Sequence, residues 1–304
     1  MNDLGIVTGA ILVELNLTNF GITRKLVSGA SAIAQQCGNK EVFTGSNDST
    51  TRSSKYIIPK SLYEEIAKFQ RETRKEHSEY TAGMRWTKNK DIMSTKMFSG
   101  GSTYMKPYSQ WHSDRAMALD SLAHDFAYKI YPLAKTAAEN DLGSLFDADD
   151  YAEPDEVYES IGMNVNIDPI SKGEDFRCSL DSVSQDKLTK EFDERLLKVQ
   201  KQSIVKLVTT LGNKLKHLSS SIKEGKVIHN KTIGDLHKFA DSMPAMDFTN
   251  DVALKKLADR VVLEITGLGS LDKDLLRDSE DNKSQVMKSA TDISNNLDAY
   301  VDTI

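Results

Sequence analysis

The residues of this chain best suited to chemistry are charged and aromatic, and they are unevenly distributed. Residues 52–106 hold twelve Lys/Arg against six Asp/Glu, a net of +6, interleaved with Tyr56, Phe69, Trp86, Phe98 and Tyr104. Cationic side chains neutralise phosphates and aromatic rings stack on unpaired bases, so this mixture suits a single-stranded nucleic acid. The candidate contacts are Arg71, Arg74, Lys75, Arg85, Trp86, Lys88 and Lys90. Residues 139–175 are the opposite, with twelve Asp/Glu and Lys172 as the one base, a net of −11. The two segments also suit each other, and a solvated helix face matched to an internal acidic segment accounts for the same contrast. The whole-chain charge of −6 and the lack of any known nucleic-acid module favour that internal match.

Catalytic patterns are missing from the sequence. His77, His112, His124, His217, His229 and His237 form no HExxH pair or other close ligand spacing. Gly267-Leu268-Gly269 follows a helical pattern and lacks the third glycine of a dinucleotide turn, and no GxxxxGK[ST] or GxSxG is present. Asp147-Ala148-Asp149-Asp150-Tyr151 departs from a calcium loop at its fifth position and has no glycine at the sixth. Asp181-Ser182-Val183-Ser184 lacks the DxSxS spacing of a metal-dependent adhesion site. Cys37 and Cys178 are too few and too far apart for a disulfide framework and read as reduced thiols. No catalytic, cofactor-binding or metal-ligating residue is expected, and the chain is expected not to be an enzyme.

The elements that must carry these residues are mostly helical. Ile204, Val208, Leu211, Leu215, Leu218 and Ile222 step 4-3-4-3-4, an apolar seam on one helix face. Val286, Ala290, Ile293, Leu297, Tyr300 and Ile304 repeat that spacing near the end of the chain. Ile204, Val208, Leu211, Leu215, Val286, Ile293 and Leu297 are therefore the helix-pairing candidates. The terminal helix either folds back on residues 188–222 or pairs with another subunit. Upstream, Leu188, Phe192, Leu196 and Val199 step 4-4-3, and a five-residue step to Ile204 breaks the register, against a continuous coiled coil.

Other stretches complete the outline. Period-2 alternation predicts strands at 10–18 and 161–168, with a third at 55–58. A helix is expected at 61–80, with Leu62, Ile66 and Phe69 on its face and Ser61 and Glu64 as a capping box. Residues 83–107 read as a loop or hairpin, with Gly100-Gly101 as a turn. The helix at 109–146 contains Pro132, which removes a backbone donor and should kink it near Tyr128. Ser184 or Asp186 would cap the helix at 188–222. Shorter helices follow at 232–241, stopped by Pro244, and at 252–266, capped by Asn250 or Thr249. The last helix spans 281–303. A short helix at 30–36, a polar loop at 44–54 and a charged linker at 269–280 fill the gaps. The fold class is mainly α (α+β): a long-helix bundle with a small β-sheet at one end and a C-terminal helical subdomain, divided 1–225 and 226–304. At 304 residues, 39% hydrophobic and 28% charged, the chain can bury a real core. No apolar run approaches the roughly 20 residues that span a bilayer. An acidic residue near the N-terminus and Glu14 within the apolar run argue against a signal peptide. A cytoplasmic location, that of the host cell if the gene is carried by a phage, is expected.

The N-terminal strand running into Gly21-Ile22-Thr23-Arg24-Lys25-Leu26 resembles an uncharacterised family of phage- and plasmid-borne proteins. There a short strand meets a Gly-Arg-Lys-type turn, followed by a helix, an apolar hairpin with an aromatic-x-x-Pro step, and long helices. Tyr104-Met105-Lys106-Pro107 matches that step, and residues 111–146 the helix after it. The family's tryptophan before the turn is Phe20 here, and Ile22-Thr23 separates Gly21 from Arg24. The resemblance covers about residues 8–225 and carries no functional residues. Some genes of the family lie near ring-forming ATPases of the metal-chelatase kind, which implies an adaptor role. The expected function is thus a non-enzymatic helical interaction or adaptor protein of a phage or mobile element, with a protein partner or self-association. The alternative is single-stranded nucleic-acid binding through residues 52–106.

Overall fold

The alternation in AILVELNLT does form a strand. The computed structural model describes residues 9–25, 54–143, 146–170, 181–226, 228–266 and 279–302. In chain order these form β1 (Ala10–Thr18), β2 (Thr23–Lys25), β3 (Ser54–Tyr56), α1 (Lys60–Tyr80), β4 (Asp91–Ser94) and α2 (Thr95–Ser99). Next come α3 (Tyr108–Asp125), a π-turn (Phe126–Ile130), α4 (Tyr131–Leu142), α5 (Pro154–Glu159) and β5 (Gly162–Pro169). The chain continues through α6 (Ser182–Lys223), α7 (Asn230–Met246), α8 (Val252–Val261), a second π-turn (Val262–Thr266) and α9 (Glu280–Val301). The protein is mainly helical with a small antiparallel sheet. Cys37, Cys178, the expected helix at 30–36, most of the loop at 44–54 and nearly all of the linker at 269–280 lie outside the described residues.

The sheet has the order β4-β1-β5, with Ala10 opposite Ser94 and Val13 opposite Asp91. The third strand is therefore not the one expected at 55–58. Ser54–Tyr56 pairs with Thr23–Lys25 in a separate two-stranded ribbon. Ile57 and Ile58 leave the ribbon and are both fully buried, which an alternating strand cannot do to neighbours on a one-sided ribbon.

The chain forms two compact units: Met1–Glu14, Glu76–His112 and Asn166–Ile304 make the first, and Leu15–Lys75 with Ser113–Val165 the second. In the first unit α7 and α9 pack against α6, and α8 packs against α7 and α9. In the second unit Phe20, Ile57, Ile58, Tyr63, Ile66, Leu119, Phe126 and Tyr131 build one core. Phe20 meets Tyr131 edge-on at 5.5 Å, and Tyr63 meets Phe126 at 5.2 Å.

The buried stripe of α1 is not the expected one. Leu62 is exposed, and the buried positions are Tyr63, Ile66, Gln70, Thr73, His77 and Tyr80, stepping 3-4-3-4-3. Five of these six carry a polar group that counting apolar residues overlooks. Gln70 donates to the Thr18 carbonyl at 2.9 Å, and Thr73 to the Phe69 carbonyl at 2.8 Å. Glu64 turns toward Arg71 at 2.5 Å and not back to the helix start as a capping box requires.

Pro132 acts as expected on the helix before it. It offers no N–H to the Tyr128 carbonyl, and the chain widens there into the π-turn, where the Tyr131 N–H reaches the Phe126 carbonyl. Pro244 behaves otherwise: α7 runs past Asp241 to Met246 and contains it. Helix caps shift by a few residues. Asp181 caps α6 by accepting from Ser184 N–H at 2.9 Å, and Asp251 caps α8.

In the first unit α9 packs along α6. Leu207, Leu211, Leu215, Ile293 and Leu297 are essentially inaccessible to water. Each such side chain contributes about 1.5–3 kcal/mol by burial. Gly212 lies on the same face, and a Cβ added there would meet Leu297 Cδ1 at 4.0 Å, ordinary contact. A Gly212→Ala variant should therefore gain stability, by about 0.5–1 kcal/mol, since glycine weakens a helix interior. Urea titration should show a raised midpoint; a lowered one would mean the seam is tighter than this.

Candidate interaction surfaces

Four features of the described residues bear on function. The first is the hairpin at 85–91. Arg85 and Asp91 form a bridge, and Trp86 and Thr87 N–H both donate to the Lys90 carbonyl, at 2.9 and 3.1 Å. The Thr87 hydroxyl accepts from Lys90 N–H at 3.1 Å, closing the turn. Arg85 at its base, 3.7 Å from Asp91 Oδ1, and Lys88 at its tip are both exposed. Trp86 is half-buried: the Arg195 guanidinium lies 4.3 Å over its ring and donates to its carbonyl at 2.6 Å, and Phe192 packs 5.7 Å away. One face of that indole is thus already stacked on a cation. Lys90 pairs with Asp168 at 2.6 Å, and this hydrogen bond pushes the Lys90 ammonium above its ordinary range. Arg71, Arg74 and Lys75 belong to the second unit, while Arg85, Trp86, Lys88 and Lys90 belong to the first. Arg71 is ion-paired with Glu64; Arg74 and Lys75 are exposed on α1.

The second feature is the seam. Ile204, Val208, Leu211 and Leu215 on α6, and Val286, Ile293 and Leu297 on α9, are all buried, and the two helices meet within the chain. The fold-back arrangement uses this surface internally.

The third is the N-terminal half of α6. No residue of 182–202 is buried. Leu188 is 36% and Leu197 40% exposed, and Val183 more so. This half is about 30 Å long at 1.5 Å per residue. Next to it an open groove of about 600 Å³ runs along α6 to the end of α9, lined by Lys201, Val205, Lys206, Thr209 and Val301. Lys206 donates across to the Gly83 carbonyl at 2.7 Å.

The fourth is a buried polar centre. His77 lies between Asp91, with Nε2 3.1 Å from Oδ2, and Tyr108, with Nδ1 2.8 Å from Oη. Burial, then the Asp91 charge, pushes the Tyr108 hydroxyl far above its ordinary range, so it stays protonated and donates. Nδ1 then accepts, and Nε2–H donates to Asp91. Tyr80, Trp111 and Phe98 rings surround Tyr108, and Tyr108 itself is fully buried. An Asp-His-hydroxyl chain resembles a proton relay, but a hydroxyl sealed by rings cannot reach a substrate. Its work here is to tie α1, β4 and α3 together. No apolar or motif signal marked His77; only its place on the α1 stripe could have found it.

Among the described residues, no group of three or more His, Cys, Asp or Glu is placed to hold a metal ion, and no helix is long and apolar enough to cross a membrane. No protein-family model, curated protein or solved structure matches this chain.

The polar centre makes a graded prediction. Tyr108→Phe removes one hydroxyl and should cost about 1 kcal/mol, whereas His77→Phe leaves both Asp91 and Tyr108 without their partner and should cost about 2–4 kcal/mol. Chemical denaturation of both variants checks the order; equal losses would contradict the assignment.

Proposed function

We propose that this chain is a non-enzymatic helical interaction protein that offers the N-terminal half of α6 to a protein partner. The observation that carries this reading is a helix whose C-terminal half is sealed in a core while no residue of 182–202 is fully buried, with Val183, Leu188 and Leu197 on the outside. Exposed apolar side chains grouped on one helix end lower solubility unless they meet something else. The adjoining groove on α6 extends the same surface. The resemblance to phage- and plasmid-borne proteins supports placing that partner in a host cytoplasm, with a ring-forming ATPase as one candidate.

The test is a Leu188→Glu, Leu197→Glu double variant. Both residues are exposed, so unfolding stability should stay within about 1 kcal/mol of the parent. Partners recovered by affinity capture from phage- or plasmid-bearing cells, and identified by mass spectrometry, should be lost by about tenfold or more. Unchanged recovery removes the α6 surface from the reading. A hydrolase or transferase activity abolished by one point substitution would sink the non-enzymatic reading altogether.

A second reading, single-stranded nucleic-acid binding, rests on Arg85 and Lys88 exposed on a closed hairpin. It predicts that a labelled oligonucleotide binds at low salt and that Arg85→Ala with Lys88→Ala flattens the salt dependence by about two charges. No binding at low salt excludes it.

A further inference from the structure

The second unit carries a part-exposed aromatic face at the edge of its core, which Tyr158 borders. Met117, His124 and Tyr128 follow one side of α3 into the π-turn, two turns and then one turn apart. Met117 is 64% exposed, the His124 side chain 59% and Tyr128 41%. Tyr158 on α5 completes the group. Ring centroids lie 4.8 Å apart for His124 and Tyr128, 5.9 Å for Tyr128 and Tyr158, and 6.0 Å for His124 and Tyr158.

Two reciprocal hydrogen bonds hold these rings. The Tyr128 hydroxyl donates to Asp155 Oδ1 on α5, and the Tyr158 hydroxyl donates to Asp120 Oδ1 on α3, each at 2.6 Å. Both bonds hold the phenols above their ordinary pKa range, so they stay protonated donors. A phenol that donates to a carboxylate has an electron-richer ring and cannot rotate away. The π-turn beneath Tyr128 is fixed by Pro132, so the backbone that presents this ring is set by the sequence.

The charge around the rings is one-sided. Asp120, Asp125, Asp155 and Glu159 lie around them, and Lys129 beside them is ion-paired to Asp125 at 2.6 Å. Each Tyr–Asp bond uses Oδ1, so Oδ2 of Asp120 and of Asp155 can accept from a ligand. Ring faces and carboxylate edges side by side favour a cation that is planar and can hydrogen-bond in its plane. Guanidinium does both; ammonium is more strongly hydrated and stacks less well. Nucleic acid and anionic lipid are repelled by the same field.

We propose that this face, built from Met117, His124, Tyr128, Tyr158, Asp120 and Asp155, docks an arginine-rich segment of a protein partner. It is a surface additional to the α6 half-helix and stands or falls separately from it.

The experiment uses the full chain and three fluorescein-labelled peptides of one length, carrying Arg, Lys or Glu at the same helical spacing. Fluorescence anisotropy at low salt should show the Arg peptide binding, the Lys peptide binding several-fold more weakly and the Glu peptide not binding. Tyr128→Ala, which removes the ring, and Asp155→Asn, which keeps the ring but removes the charge, should each weaken the Arg peptide about tenfold. Asp141→Asn, an acid elsewhere in the acidic segment, should leave it within about twofold. Circular dichroism and thermal melts of the variants confirm that they fold, and Leu188→Glu with Leu197→Glu should not change peptide binding. Absence of Arg-peptide binding overturns the proposal. So does an equal loss in Asp141→Asn and Asp155→Asn, which would be diffuse attraction. An oligonucleotide that binds with the same dependence on Tyr128 also overturns it, by assigning the face to nucleic acid.

Discussion

Buried hydrogen-bonding groups must find partners, and helix α1 is where this protein meets that constraint most fully. A polar atom left unpaired in a core costs on the order of 1–3 kcal/mol, so Gln70, Thr73, His77 and the Tyr80 hydroxyl each constrain what can lie opposite them. The Tyr80 hydroxyl reaches the Lys106 carbonyl at 3.0 Å, which holds the turn before α3. That turn has little freedom of its own. Gly101 sits at φ +66°, and a Cβ there would lie 2.2 Å from the Met105 carbonyl oxygen. A greasier α1 would bind its neighbours as strongly and specify them less.

The apolar and the charged parts of the molecule are organised differently. The seam between α6 and α9 is a closed hydrophobic contact with seven of the most regular heptad-like positions in the chain, and it is internal. The charged groups outside, with a few aromatic rings among them, sort by sign: a cationic hairpin already partly stacked and paired, and an acidic face whose rings are fastened to aspartates.

How much of this could be read from residue order depends on the kind of signal. Heptad spacing at 204–218 and 286–297 was legible because the seam positions buried there are apolar, and Pro132 was legible because it removes the N–H that a regular turn would offer the Tyr128 carbonyl. The stripe of α1 was not, since Gln70, Thr73 and His77 look like surface residues until their partners are known. Strand pairing was misread at 55–58 because β4 is only four residues long and lies inside a segment rich in turns. The aromatic face was invisible for a different reason: Tyr128 and Tyr158 are thirty residues apart and meet only after α5 folds against α3. The acidic count at 139–175 was visible, but what that charge surrounds was not.

The covering of α6 by α9 also has a consequence for biosynthesis. More than fifty residues separate Lys223 from Glu280, so at about 5–20 residues per second the apolar seam of α6 stays open for several seconds after α6 has been translated. During that interval α7 is the helix available to cover it, and the nascent chain presents a long greasy helix face to whatever is nearby. A frameshift or stop codon between those two helices would leave the seam uncovered for good. Loss of the last stretch of sequence should thus act less like trimming a tail and more like removing a wall.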